Sequence, residues 1–323
     1  MECRKTWIVS PLHRLLAVTV ALLWGLNFIA IAASLEQFPP LFLVALRFAL
    51  IAVPTLVLVP WPGVPVRWLL LYGTGFGILQ FLSLYSGMAA GMPAGLASLV
   101  LQSSAPFTVV LGAALLRERL NGRQVVGIIV AVGGLCLVGV QRWESAALLP
   151  FVLTIAGGFG WALGNLGNRL ASAGNPAANP LHLVLWMSVV PPVPMLVISL
   201  LAEGPPRIAA SFTTLGTTTG LLALAGLAYT VLLGTLAGSG LWTYLMARYP
   251  ASRVAPYSLL VPVVGITAAW LLLGERPAVL ELAGSAVVVA GVLYGGSRRR
   301  PAAVAPGTPP VLVARDTARI EQA

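Results

Sequence analysis

The stretch LLAVTVALLWGLNFIAIAA, residues 15–33, runs for 19 residues without a charged side chain. At 1.5 Å per residue a helix of that length is about 28 Å long, close to the ~30 Å hydrocarbon core of a bilayer. It therefore reads as a membrane-spanning helix. The whole chain agrees, since 58% of its 323 residues are apolar and 9% are charged, against ~25% charged in a soluble domain. That balance excludes an ordinary cytosolic enzyme. The formal net charge of +10 does not point to nucleic acid, because the basic residues sit mostly in short segments between apolar runs.

Outward from that stretch, nine further runs of spanning length follow. The expected helices are Leu15–Ala33, Leu41–Pro60, Trp68–Met88, Ala94–Leu116, Gln124–Val140, Val152–Leu170, Leu181–Leu201, Leu221–Ala247, Val254–Leu273 and Val279–Tyr294. An all-α polytopic membrane protein of ten spans is predicted. Connections are short except Ala202 to Gly220, and the Pro- and Ala-rich tail 297–323 reads as disordered and cytoplasmic. Arg4, Lys5 and Arg14 precede the first span, and Ala30-Ile31-Ala32 resembles a signal-peptidase site. The run is longer than a signal h-region and carries Trp24 and Asn27 at its centre, so it is kept as a span.

The basic residues orient the spans. With a cytoplasmic N-terminus (1–14), the inner segments hold fifteen of the 19 Lys and Arg, the outer segments hold Arg142, Arg207 and Arg276, and Arg47 lies within a span. This 15 to 3 split predicts both termini inside a bacterial inner membrane.

The two halves, 15–140 and 152–296, lie over one another. Pro40-Leu41-Phe42-Leu43-Val44 matches Pro180-Leu181-His182-Leu183-Val184, Pro93 falls on Pro250, Glu118-Arg119 on Glu275-Arg276, and Gly127 and Gly134 on Gly284 and Gly291. Trp24-Gly25-Leu26-Asn27 falls beside Trp161-Ala162-Leu163-Gly164-Asn165 with one insertion. Five spans per repeat is an odd number, so the halves must cross in opposite senses, as in secondary transporters.

Polar residues at mid-span must face protein or water. Trp24, Asn27 and Phe28 share a face, as do Leu99, Gln102, Ser103 and Pro106, and Trp161, Asn165 and Asn168. Tyr257 and Ser258 stand together, and Gln80 and Ser239 occupy near-equivalent places with Tyr85 and Trp242 close by. Two readings stand: a central cavity whose amides and hydroxyls bind an amino-acid-like solute between Trp24 and Trp161, or interhelical bonds worth roughly 0.6 to 2 kcal/mol each. Pro106 and Pro262 correspond in the fourth and ninth spans and are candidate hinges. Gly73 with Gly77, Gly160 with Gly164 and Gly234 with Gly238 read as packing contacts. Arg47 and Glu281 are expected as structural charges, with a pair between them as one hypothesis; anchoring is favoured for Arg47 over the alternative of direct contact with a substrate carboxylate.

Cys3 and Cys136 lie far apart in kind and place, and His13 and His182 stand at the edges of runs, so neither metal nor cofactor is expected. No P-loop is present, and no Asp or Glu lies at the centre of a span. A coupling proton and facilitated diffusion both remain open, and the oligomeric state is not legible. An intramembrane enzyme would need an activating base beside Ser103, Ser104 or Ser239, and the sequence offers none at that depth.

Several segments together resemble the EamA family of the drug/metabolite transporter superfamily. They are Trp24-Gly25-Leu26-Asn27-Phe28, Pro39-Pro40 to Leu46-Arg47-Phe48, Gly91-Met92-Pro93-Ala94-Gly95 to Gln102, Arg117-Glu118-Arg119, and Arg253 to Gly265. The resemblance extends to about Gly296, with Arg117 standing where the family commonly has glycine. It implies a ten-span exporter of small metabolites, in the manner of the exporters of cysteine and O-acetylserine, with drugs or other metabolites as the alternative cargo. It also implies a cavity lined by the first, third, fourth, sixth, eighth and ninth spans.

Overall fold

The computed structural model describes residues 10–144, 148–249 and 254–296. Cys3 and the expected disorder of 297–323 lie outside the described residues. Within them the apolar runs are helices, because a helix pairs its own backbone N–H and C=O groups where no water is at hand. The helices are α1 (Pro11–Leu35), α2 (Pro40–Leu58), α3 (Val66–Ala89), α4 (Ala94–Leu116), α5 (Gly122–Glu144), α6 (Leu148–Gly174), α7 (Pro180–Ala202), α8 (Pro205–Thr213), α9 (Thr218–Met246), α10 (Leu260–Leu273) and α11 (Val279–Gly296).

Among the described residues nine helices are long and apolar enough to cross a membrane, and Tyr257–Leu273 forms a shorter apolar helix where a further span is expected. Large apolar side chains such as Val57, Leu201, Leu271 and Val279 face outward. That outside suits lipid. The protein is an all-α polytopic membrane protein. The stretch expected as a plain connection, Ala202 to Gly220, contains α8. Gly204 turns the chain at φ 80, two prolines open the helix, and Phe212 packs on Phe42 with ring centroids 5.7 Å apart.

Among the described residues, four segments are of π or 3-10 type. Turns of π type occupy Gly73–Gln80 of α3 and Tyr229–Ala237 of α9. Tighter 3-10 turns occupy Leu101–Ser103 of α4 and Ala255–Leu259 before α10. Proline accounts for the second kind. Pro106 gives no N–H to the Gln102 carbonyl and its ring crowds it, and Pro262 does the same to Ser258, so the preceding turn tightens. α7 is likewise interrupted between Met187 and Pro192.

Glycine sets the distances between helices. A Cβ on Gly160 would lie 2.5 Å from the Gln80 nitrogen and one on Gly164 would lie 2.5 Å from the Phe76 Cβ, so the π stretch of α3 rests on the backbone of α6. At Gly234 and Gly238 of α9 a Cβ would meet Asn27 Oδ1 at 2.7 Å and Trp24 Nε1 at 2.6 Å. α1 packs on α9 and α10, α6 packs on α3 and α4, α2 on α7, and α5 on α11. In the last pair Gly127 meets Gly291 and Gly134 meets Gly284 through backbone atoms at 2.7 Å from the would-be Cβ.

The spanning helices alternate in direction, and α8, nine residues long, is too short to cross. One face, the terminal face, carries the start of α1 and the end of α11; the far face carries the end of α1. At the far face α2 and α4 follow Pro39 and Pro93, which offer no side-chain cap. Carboxylates from distant segments supply one. Glu203 accepts from the N–H groups of Leu41 and Phe42 at 2.8 and 2.9 Å, and Glu275 accepts from those of Ala94 and Gly95 at 2.7 and 3.0 Å. An anion there satisfies orphan donors and meets the positive end of the helix. At the terminal face Glu118 pairs with Arg169, whose hydrogen bond holds the Glu118 carboxyl below the usual carboxylate range.

α4 ends with Arg117 in the left-handed region at φ 55, while α10 ends with Gly274 at φ 68. A side chain in that region costs about 1–2 kcal/mol relative to glycine. Arg117→Gly is expected to raise stability by roughly 1 kcal/mol, read as a higher midpoint in thermal unfolding in detergent. At the α5–α11 contact, Gly134→Leu is expected to cost about 1–3 kcal/mol by overpacking. Gly133→Ala, which meets nothing within 4 Å, is expected to be neutral or slightly stabilising in the same measurement.

Candidate functional site

Between the helices lies a cavity of about 910 Å³, within the range of small-molecule sites. Its wall on α1 is Trp24, Asn27 and Phe28; α3 gives Gln80, α4 Gln102, and α6 Trp161 and Asn165. α9 adds Ser239 and Trp242, and Ser258 enters from the 3-10 turn before α10. The six spans implied by the family resemblance all contribute. α2, α7 and α11 join them through Arg47, Met187 and Val292 among others.

Two expected residues stand elsewhere. Ser103 is fully buried against α6, with its Oγ 2.1 Å from where a Gly158 Cβ would be. The 3-10 turn at Leu101–Ser103 advances the side chains by three residues per turn, which aims Gln102 at the cavity and Ser103 at the neighbouring helix. Tyr257 packs on a separate cluster formed by Ala17, Leu245, Tyr249 and Val254. Pro106 and Pro262 are buried and do not line the cavity; each stands three residues after the end of a 3-10 segment. His13 sits within 2.6 Å of the Tyr249 hydroxyl, away from the cavity.

The walls are held by specific contacts. The Trp24 indole N–H donates to the Gly234 carbonyl at 2.9 Å, and its ring lies 5.4 Å from that of Trp242. A π turn frees that carbonyl for a partner outside the helix. Asn165 Nδ2 donates to Thr108 Oγ1 at 3.0 Å, and Trp161 meets the edge of Phe76 at 5.9 Å. Not every polar group is satisfied. Asn27 Oδ1, Gln80 Oε1, Gln102 Nε2 and Arg47 Nε are buried with no hydrogen-bond partner. Each such orphan costs about 1–3 kcal/mol and calls for a water or a solute.

Arg47 does not pair with Glu281. Its Nη1 donates to the Tyr85 hydroxyl and its Nη2 to Thr235 Oγ1, both at 2.9 Å, and its guanidinium carbon lies 4.1 Å from the Phe81 ring centre. Glu281 instead accepts from the Ala278 N–H at 3.0 Å and lines a separate small pocket with Glu275 and Arg276. Thr108 and Thr235 were missed as site residues. Their signal was a hydroxyl one helical turn from another polar residue, Ser104 to Thr108 and Thr235 to Ser239.

The cavity reaches Asn168, Pro180 and Gly296 toward the terminal face, and none of its lining residues comes from the far-face segments 36–39, 90–93, 203–217 or 274–278. Arg47 is the one charged side chain among the described lining residues. Among the described residues no group of three or more His, Cys, Asp or Glu is placed to hold a metal.

The chain is 42% identical over 294 residues to a probable amino-acid metabolite efflux pump of Salmonella typhimurium, covering 90% of this chain and 97% of the relative. A protein of the same description from Escherichia coli is 41% identical over 280 residues, 86% and 92% of the two chains. A probable terminal-alkyne amino-acid exporter of Streptantibioticus cattleyicolor is 27% identical over 219 residues, 67% of this chain and 69% of that one. A solved crystal structure of a protein shares the fold at TM-score 0.57 and 19% identity, over 89% of this chain and 98% of the other. The family model of EamA-like transporters matches twice, at residues 13–140 and 148–294. With both halves of the helical chain matched, the protein belongs to the EamA-like transporter family.

Proposed function

We propose that this protein is a secondary transporter that exports amino acids or close derivatives, such as cysteine and O-acetylserine, across the bacterial inner membrane. The carrying observation is the cavity, lined by both halves, with unmatched amides and a buried guanidinium, extending to one face and capped at the other. The efflux and exporter descriptions of the relatives support the same substrate class. In this reading the two halves are inverted repeats. The reciprocal glycine contacts of α5 and α11, and the parallel between α1 on α9 and α10 and α6 on α3 and α4, support it. Both termini are cytoplasmic, so the cavity faces the cytoplasm.

Alternating access then requires the far face to open. Glu275 must leave the N-terminus of α4 as the halves rock, and the 3-10 turns before Pro106 and Pro262 are the places where α4 and α10 bend. No ATP is consumed.

Efflux from cells preloaded with labelled cysteine, O-acetylserine, threonine and phenylalanine tests the reading. At least one solute should leave faster with the wild type. Trp24→Ala and Asn165→Ala should each slow it about tenfold, the equivalent of losing roughly 1.4 kcal/mol of solute binding, at unchanged protein level. If none leaves faster, the substrate class falls and drugs or other metabolites take its place; an uncoupler arm separates proton exchange from facilitated diffusion. Glu275→Gln, which removes the capping charge, should increase labelling of a cysteine introduced at Leu96 from the outside, and unchanged labelling would count against the closure assigned to Glu275.

A further inference from the structure

Arg47 is 4% exposed and lies within the span of α2, where an ionised group without an anion is costly. Its surroundings are neutral: a tyrosine hydroxyl, a threonine hydroxyl and two phenylalanine rings. These hold the guanidinium in place without discharging it. The Thr235 hydroxyl that accepts from Nη2 donates in turn to the Thr230 carbonyl five residues back, a contact made possible by the π turn. Arginine has five N–H donors. Two are taken, and Nε is buried without a partner on a side chain that lines the cavity.

A guanidinium held by two fixed contacts, with free N–H groups in one plane, matches the two oxygens of a carboxylate. Nothing in the described lining competes, since no Asp or Glu borders the cavity. The unmatched acceptors stand close by along the chain and across it. Gln80 precedes the Phe81 that stacks on Arg47, and Asn27 rests on Gly234, which precedes the Thr235 that Arg47 contacts. Two carbonyl oxygens near one guanidinium suit an ammonium group next to a carboxylate.

We infer that Arg47 is the receptor for the carboxylate of the transported solute, with Asn27 and Gln80 accepting from its amino group. The cavity thereby selects molecules with a free α-carboxylate. This rests on the transport reading above and names the residue that sets its specificity. The side chain of the solute points to the aromatic walls at Trp24, Trp161 and Trp242 and is loosely restricted, whereas blocking or removing the carboxylate weakens recognition about tenfold or more.

Binding and transport are measured separately on the purified full chain. In detergent, quenching of tryptophan fluorescence is titrated with cysteine, O-acetylserine, threonine and phenylalanine and with the carboxamide of each. For at least one pair the wild type should bind the acid ten or more times more tightly than the amide, about the least that loss of a dedicated polar partner costs. Arg47→Gln should erase that preference, and Arg47→Lys, which keeps the charge without the fork, should retain a reduced one. Equal binding of acid and amide in every pair overturns the assignment, as does a full preference surviving in Arg47→Gln. If Arg47→Gln does not fold, the wild-type pairs and Arg47→Lys decide. Counterflow of the same labelled acids in proteoliposomes reports on transport alone. Acid-selective binding without counterflow overturns the transport reading and leaves the carboxylate receptor standing.

Discussion

A backbone carbonyl or N–H left unpaired away from water costs several kcal/mol, and the architecture is organised around avoiding that. Regular helix satisfies the rule by itself, which is why the chain is helical almost throughout its described length. The informative places are those where helix gives way. Partners from the other half of the chain meet several of them: the Trp24 indole takes the Gly234 carbonyl, and Glu203 and Glu275 cover the first N–H groups of α2 and α4. These exchanges tie one half of the chain to the other. The cavity wall is therefore built from the same bonds that repair the irregular backbone.

The charge distribution follows a related logic. Acidic groups serve the ends of helices, at Glu118, Glu203, Glu275 and Glu281, where the backbone or a neighbouring arginine receives them. The interior keeps one cation and no acid along its described lining. Such a cavity favours an anion without offering a carboxylate to shuttle a proton. Aromatic quadrupole and hydroxyl dipoles are a weak substitute for a counter-ion, and a weak substitute is one that a passing solute can outcompete.

Much of this could be read from the residues. The spans, the glycine spacings and the shared faces of Trp24 with Asn27 and Trp161 with Asn165 follow from helical periodicity, which survives small errors at helix ends. The partner of Arg47 could not be read. Matching opposite charges at similar depth proposed Glu281, but depth along a helix says nothing about azimuth, and Arg47 turned to Tyr85 and Thr235 instead. The outward turn of Ser103 and Tyr257 has the same origin. A local change from 3.6 to 3 residues per turn moves a side chain to another neighbour, and only the presence of Pro106 and Pro262 downstream hinted at it. The π stretches left no mark in composition beyond glycines that also serve packing.

The size of the cavity bears on how a solute travels. At ~30 Å³ per molecule, about 910 Å³ is room for on the order of thirty waters. An amino acid displaces a small part of that content. In the proposed reading the solute moves as a hydrated guest in a wet chamber, fastened at its polar end, with solvent filling the space its side chain leaves. Shape offers little basis for rejection under those conditions, so solutes that differ greatly in side-chain bulk can share one passage.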